Sequence, residues 1–149
     1  MDSNKKTLKN DWIGSNYTPF NLYVESPDAL IRVSDTLKNK RYYELSKSDY
    51  KVRVKVDSYS ENQDIVRDML KDFKDMGFIN VITKEEEFIT QSEKKGVKIY
   101  GSFDDSKKNK KLNYSTVIFV SDKNIIEIVT VYEQRNEIVE QIINRIENS

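Results

Sequence analysis

The chain contains neither cysteine nor histidine, and these two absences exclude more chemistry than any other feature of its composition. Without cysteine there is no disulfide framework, thiol nucleophile or thiolate metal site. Without histidine there is no imidazole base, no Ser-His-Asp triad and no imidazole-bound zinc. Any catalysis would therefore depend on carboxylates, lysine, tyrosine or backbone groups. The sequence selects no catalytic residue, no cofactor site and no metal site.

Glycine is scarce, and long apolar runs are missing. The chain has 4 glycines in 149 residues, and none of them forms a glycine-rich phosphate loop. No apolar segment approaches the roughly 20 residues that cross a bilayer, and no apolar signal region follows Met1. The chain as written is expected to be cytoplasmic. A cell-envelope location is the alternative if a signal or lipid anchor has been removed.

Charge of neither sign is in excess, because Lys+Arg and Asp+Glu both number 25. A protein that holds a polyanion by neutralising phosphates needs a basic surplus, so nucleic acid is not expected as the main partner. Charged residues make up 34% and hydrophobic residues 37% of the chain. The length is typical of one domain with a single core.

The N-terminal segment is polar and is expected to be separate from the domain. Residues 1–16 carry mainly lysine, asparagine and aspartate, which predicts a flexible leader followed by a single domain over 17–149. Trp12 is the sole tryptophan. It is interpreted as an anchor that pins the leader to the domain, and the alternative is an exposed aromatic at a binding surface.

Short strands are expected at the start of the domain. Alternating apolar residues at Phe20, Leu22 and Val24 indicate a strand that ends at Pro27-Asp28. Residues 29–33 fit either a second short strand or the edge of a turn. Residues 34–48 are charged throughout and allow no assignment, since a helix and a long loop excursion fit equally well.

A clear strand and a clear helix follow. Residues 51–56 alternate valine with lysine or arginine, so one face of the strand packs on a core while the other faces water or a partner. The Ser60-to-Gln63 spacing is that of a capping box and predicts a helix over about 61–76. Gly77 is typical of the position just after a helix C-terminus.

The remainder of the chain predicts a run of strands and a closing helix. The acidic residues 85–87 are expected at a turn or bulge, and the lysine-rich residues 104–111 in a hairpin loop. Strands are expected at 79–83, 88–90, 96–103, 114–121 and 124–132, and an apolar stripe from Ile138 to Ile146 predicts a second helix. The fold class is therefore α+β, an antiparallel β-sheet with two or more helices packed on one face.

The layout resembles the PsbP-like fold family, small α+β domains that include accessory subunits and bacterial lipoproteins. The resemblance covers about residues 50–149. It rests on the Val52-Val54-Val56 strand, the helix at 61–76, the segment 96–103 and the hairpin 114–132 with the helix after it. An aromatic turn expected early in such domains is replaced by Pro27-Asp28-Ala29-Leu30. The resemblance implies a non-catalytic accessory or binding role and transfers no functional residue.

Two sets of residues are candidates for an interaction surface. Tyrosine offers contact area and a hydroxyl at low entropic cost, and 9 tyrosines are many for this length. The first set surrounds the basic-faced strand and consists of Tyr42, Tyr43, Tyr50 and Tyr59. The second set is the densest basic cluster, Lys107, Lys108, Lys110 and Lys111, which suits either a solubilising loop or a contact with single-stranded nucleic acid.

Three functional hypotheses follow from these features. The preferred one is a non-enzymatic binding or accessory module whose partner is another protein. The alternative is a small-ligand-binding protein or a carboxylate-based enzyme with a site between sheet and helices. The third is a nucleic-acid contact through the 107–111 loop. A calcium or magnesium site is not expected, because the acidic runs lack the loop spacing of such sites and consecutive strand residues point to opposite faces.

Overall fold

The computed structural model describes residues 12–33 and 40–149. Along these residues the chain forms strands β1 (Ile13–Tyr17), β2 (Leu22–Ser26), β3 (Ile31–Val33), β4 (Arg41–Ser46), β5 (Tyr50–Ser58), β6 (Phe78–Ile89), β7 (Lys95–Asp105), β8 (Lys110–Val120) and β9 (Asn124–Tyr132), and helices α1 (Ile65–Asp75) and α2 (Glu137–Glu147).

Seven of these strands form one antiparallel sheet. Its strand order is β3-β4-β5-β9-β8-β7-β6, and β1 and β2 pair separately as an antiparallel hairpin. The hairpins β6–β7, β7–β8 and β8–β9 place chain neighbours side by side, while β9 returns to pair with β5. The predicted α+β class with an antiparallel sheet is confirmed.

The two central strands, β8 and β9, are apolar on both of their faces. Val117 and Ile126 pack in one hydrophobic cluster, whereas the adjacent Ile118 and Ile125 pack in the other. Because neighbouring residues of a strand point to opposite sides, both faces of the sheet must be covered. Each face of the sheet therefore packs against its own hydrophobic core.

The larger core lies on the face that α2 covers, called the α2 face. Val139, Ile142 and Ile146 of α2 pack there with the three valines of β5 and with apolar residues of β8 and β9. The β1–β2 hairpin covers the rest of that core through its buried Leu22 and Val24.

The smaller core lies on the opposite face, called the α1 face, and is rich in aromatic side chains. Phe73 of α1 makes an edge-on contact with Tyr114, their ring centroids lying 5.0 Å apart. Phe103 stacks on Phe78 at 4.0 Å and also on Tyr114 at 5.5 Å. Such ring pairs stabilise a core beyond the burial of their apolar area.

The expectation of two helices on one face therefore needs correction, since the buried residues of α1 and α2 belong to different clusters. Helical periodicity shows which side of a helix is apolar. It does not show which side of a sheet that helix covers. The apolar pattern of β8 and β9 on both faces was the signal for a cover on each side.

The predicted boundaries of α1 are close to those observed, but its capping differs. Gln63 accepts a hydrogen bond from the Ser60 amide at 2.8 Å, which is one half of the expected capping box. The N-cap itself is Asp64, whose Oδ1 accepts from the amide of Arg67 at 3.0 Å. Gly77 follows the helix with φ +88°, the left-handed conformation that glycine favours.

Two segments differ from their sequence-based assignment. Residues 13–16, expected in the polar leader, belong to β1, and Trp12 packs against the larger core with the Arg145 guanidinium 4.0 Å from its ring centre. Residues 1–11 and 34–39 lie outside the described residues. The acidic run 85–87 is not a turn: it continues β6, exposed and in register with β7. Within the described residues, α1 and α2 have 11 residues each, too few to span a bilayer.

The fold is expected to lose stability sharply at alkaline pH, because two of its buried side chains are tyrosines. Burial raises the pKa of Tyr17 to about 12, with a further contribution from Tyr43, and burial raises the pKa of Tyr114 to about 12. In the unfolded chain tyrosine ionises near pH 10, so each group stabilises the fold fully below that pH. Each contribution, about 2–3 kcal/mol, is lost as the pH rises from 10 to 12.

Circular dichroism and tyrosinate absorbance, followed together through an alkaline titration, measure this loss. Tyr17→Phe removes one of the titrating hydroxyls while retaining the ring, so its unfolding should begin at higher pH than that of the unsubstituted chain. Ionisation of all tyrosines near pH 10 with the fold intact would contradict the prediction.

Candidate functional site

The four tyrosines predicted to form an interaction surface do not lie together. Tyr42 faces the α1 side of β4, whereas Tyr43 points to the α2 side and meets Tyr17 edge-on at 5.0 Å. Tyr50 is buried in the larger core, and Tyr59 packs against the smaller core. Of the set, Tyr42 and Tyr50 line a cavity of about 490 Å³.

The predicted basic cluster is divided as well. Lys107 and Lys108 occupy the exposed β7–β8 turn, which Asp105 holds by accepting hydrogen bonds from their backbone amides at 3.0 and 3.3 Å. Lys110 lies on the α1 face and pairs with Glu133 at 3.2 Å. Lys111, the next residue of β8, points to the opposite face.

The structure brings a different set of residues together in a groove on the α1 face, beside α1. This helix–sheet groove has a volume of about 490 Å³. It exists because α1 packs over β7, β8 and β9 and leaves β4 and β5 on that face uncovered. Its walls come from α1 on one side and from β4 and β5 on the other.

The interior of the helix–sheet groove is apolar. Val129 and Val131 of β9 form its floor, and both are partly exposed. Met69 and Phe73 of α1, with Met76 at the C-cap of that helix, form the adjoining wall. Methionine and aromatic side chains adapt to varied apolar partners, so this interior can accept one or more apolar groups.

The opposite rim carries a preorganised aromatic and ionic unit. Arg53 binds the Glu44 carboxylate through Nε at 2.8 Å and through a terminal nitrogen at 2.6 Å. The same guanidinium lies 4.9 Å from the centre of the Tyr42 ring. Tyrosine and arginine held in fixed rotamers are typical of residues that dominate the energy of a protein interface.

One end of the helix–sheet groove is closed by a partly buried ion network. Lys55 Nζ lies 2.8 Å from Glu127 Oε2 and 3.6 Å from Asp72 Oδ2 of α1. The Lys55 side chain is 15% exposed and that of Glu127 8%. Burial alone would lower the pKa of Lys55, but the carboxylates of Glu127 and Asp72 outweigh it and the pKa is raised. The network ties α1 to β5 and β9.

The other end of the helix–sheet groove carries both signs of charge. Lys51 and Lys108 line it, and neither ammonium group makes an ion pair within residues 12–33 and 40–149. Asp49 and Asp75 line the same region. This end therefore suits a polar group of either charge.

Acidic residues do not converge on a metal site in the part of the chain that the structure describes. Glu85 and Glu87 point to one face of β6, and Glu86 points to the other, where it lies 3.7 Å from Lys98. A second, smaller cavity of about 210 Å³ opens near Asp57 and Tyr59, and it is lined mainly by charged side chains of both signs.

The sequence contained part of the signal for the helix–sheet groove. The basic face of β5 was predicted to meet water or a partner, and Lys51, Arg53 and Lys55 all line the groove. The contributions of Val129, Val131, Met69 and Met76 to the groove were missed. In the sequence these apolar residues are equally consistent with fully buried core positions, because their exposure depends on where α1 stops covering the sheet.

Comparison with known proteins adds little to this geometry. No protein-family model matches the chain, and no curated protein is similar to it. A crystal structure of a protein of unknown function from Pseudomonas aeruginosa, a candidate regulator, is similar at 12% identity and a TM-score of 0.37, covering 80% of this chain and 82% of that one. A likeness at this level carries no argument about function.

Proposed function

We propose that this protein is a non-enzymatic binding or accessory module that holds a segment of another protein in the helix–sheet groove. The observation that supports the proposal is an apolar interior bordered on one rim and at one end by charges that are already paired, Arg53 with Glu44 and Lys55 with Glu127. Charges fixed by intramolecular partners orient a ligand and keep the groove hydrated without requiring new buried ion pairs.

The proposed occupant is an extended segment that inserts apolar side chains between α1 and β9. Val129 and Val131 give it a floor, and the Tyr42 ring with Arg53 gives it an edge to pack on. The PsbP-like resemblance, itself a proposal, implies an accessory role of the same kind.

Site-directed photo-crosslinking in the host's own extract tests the proposal. A benzophenone amino acid at Ser46, an exposed residue that lines the helix–sheet groove, should capture one enriched partner. The same probe at Asp122, in the exposed turn between β8 and β9, should not. Equal capture from both positions would contradict binding in the groove.

Tyr42→Ala is expected to weaken binding of the captured partner by roughly tenfold or more, because it removes the aromatic edge on which Arg53 rests. Tyr100→Ala is the matched control. Tyr100 is also half-buried and also carries a cation over its ring, Lys98 at 5.3 Å, but it lies on the α2 face. Titration of the purified partner checks this, and equal losses in the two variants would contradict the proposal.

A small-ligand site in the same groove is the second candidate, and the volume of the cavity favours it. About 490 Å³ lies in the range of roughly 300–1,000 Å³ that small-molecule sites occupy. A small ligand should raise the melting temperature of the unsubstituted chain. It should do so less for Met76→Glu, which places a charge in the apolar wall. A ligand that stabilises both chains equally binds elsewhere.

A further inference from the structure

Strand β6 forms an open edge of the sheet. It pairs with β7 on one side, and no strand of the described residues pairs with its other side. Ile79, Ile82 and Ile89 on this strand are 48%, 53% and 43% exposed. A long edge strand that combines free backbone donors and acceptors with exposed apolar side chains is a template for another strand.

The sequence of this edge is self-complementary about Glu85. The register with β7 is regular from Ile82 to Ile89, beyond an irregularity between Ile79 and Ile82. Residues 81–89 read Val-Ile-Thr-Lys-Glu-Glu-Glu-Phe-Ile, apolar at both ends and charged in the middle. Antiparallel pairing centred on Glu85 would place Lys84 opposite Glu86 of a second copy, and symmetry would repeat that contact.

The same register also matches the apolar residues. Ile82 would lie opposite Phe88 of the second copy, and Val81 opposite its Ile89. Every pair in this register joins residues that point to the same face, which is required when two sheets continue into one.

Other registers of the β6–β6 pair have less favourable contacts between charged residues. A centre at Lys84 puts that lysine opposite itself. A centre at Glu86 puts this glutamate opposite itself and places Glu85 opposite Glu87 twice. A centre at Thr83 loses both contacts between Lys84 and Glu86, and a shift by one residue joins opposite faces. The centre at Glu85 leaves a single like-charge contact, that of Glu85 with its own copy.

We propose that β6 pairs with β6 of a second copy of this chain, antiparallel and centred on Glu85, to form a two-fold dimer with one continuous sheet. The two Glu85 carboxylates meet on the α1 face, where both are exposed to water, and their repulsion keeps the dimer weak. The neighbouring glutamates would repel like charges in other registers and on other acidic strands. The charges that disfavour unwanted pairing at this edge therefore also select its partner.

Single cysteines test the register directly, because the chain contains none of its own. Residues that face each other in an antiparallel pair lie within disulfide distance. Glu85→Cys, at the two-fold axis, should therefore form a disulfide-linked dimer under mild oxidation about tenfold faster than Thr83→Cys or Glu87→Cys alone. A mixture of Thr83→Cys and Glu87→Cys should crosslink between the two different chains.

Charge reversal of the unmodified edge gives an independent measurement. In sedimentation equilibrium the unsubstituted chain should show a concentration-dependent dimer, and Lys84→Glu should weaken it by at least about tenfold. The double change Lys84→Glu with Glu86→Lys should restore it, because the two residues face each other. Lys123→Glu, an exposed residue in the turn between β8 and β9, is the control and should have no effect.

Three results would overturn the proposal. The first is a chain that stays monomeric at every concentration, and the second is equal crosslinking rates for the three cysteine variants. The third is a dimer whose dissociation constant does not change with the charge reversals. Thermal melting of each variant separates lost association from lost folding. Because residues 82–89 are exposed apart from Phe88, these substitutions leave the core in place.

Discussion

Replacing Glu127 by alanine is expected to lower the free energy of unfolding by about 2–3 kcal/mol. Glu127 is the closer of the two carboxylates that hold Lys55, at 2.8 Å, and the lysine side chain is 15% exposed. Without it, the ammonium group keeps only the more exposed Asp72 at 3.6 Å. A charge held away from water with a weakened partner costs more than the original pair contributed. Urea unfolding at neutral pH measures the loss.

A double replacement separates the ion pair from the packing around it. Lys55→Met with Glu127→Leu removes both charges at similar volume, so its stability should lie within about 1 kcal/mol of the unsubstituted chain. Glu140→Gln is the control at the surface: it weakens the exposed Arg135–Glu140 pair, joined at 2.7 Å, and should leave stability nearly unchanged. A Glu127→Ala variant as stable as this control would contradict the prediction.

Gly101→Ala should destabilise the protein by about 3 kcal/mol or more. A Cβ atom at this position would lie 1.9 Å from the backbone oxygen of Ile82, so β6 would have to move. The same oxygen accepts a hydrogen bond from the Tyr114 hydroxyl at 3.0 Å, which ties the edge strand to the smaller core. The substitution therefore disturbs strand pairing and core packing together.

Gly14→Ala is the matched control, because its obstacle can move. A Cβ atom at Gly14 would meet the ring of Tyr23, an exposed side chain that can rotate into water. Thermal unfolding should therefore shift far less for Gly14→Ala than for Gly101→Ala. Equal shifts would show that the approach of Gly101 to Ile82 does not constrain the sheet.

The second half of the chain could be predicted from sequence because its elements are long and strongly patterned. The strand predicted at 96–103 forms as part of β7, with Val97, Ile99 and Phe103 on one side and Lys98 and Tyr100 on the other. The closing helix follows its apolar stripe from Ile138 to Ile146. In these segments the local pattern and the tertiary packing agree.

Two stretches of strand were not recognised in the sequence: β4, which lies in the unassigned residues 34–48, and residues 85–87 of β6, which were expected at a turn or bulge. β4 carries charge and two adjacent tyrosines, and it becomes a strand because Tyr43 and Leu45 reach the larger core when it pairs with β5. The acidic run 85–87 continues as a strand because the edge gives every carboxylate access to water. Pairing with a neighbour outweighs local propensity in both cases.

The helix–sheet groove lay beyond sequence reasoning for a different reason. Its walls come from β4 and β5, from α1, and from β9, which are distant along the chain. The alternation of valine with basic residues in β5 showed that the strand has a polar face. It did not show that α1 leaves this face uncovered. The split of the four tyrosines between two faces follows from the same alternation, since adjacent residues such as Tyr42 and Tyr43 cannot share a surface.

The double burial of β8 and β9 has a consequence for how the molecule opens. Six consecutive residues of β8, from Tyr114 to Phe119, are buried because each side of the sheet carries its own cover. Loss of either cover alone leaves their backbone amides bonded and shielded by the other. Hydrogen exchange at this hairpin should therefore report global unfolding, while β3 and β6 exchange through local fraying. The backbone amides of the β8–β9 hairpin are therefore expected to exchange more slowly than those of β3 and β6.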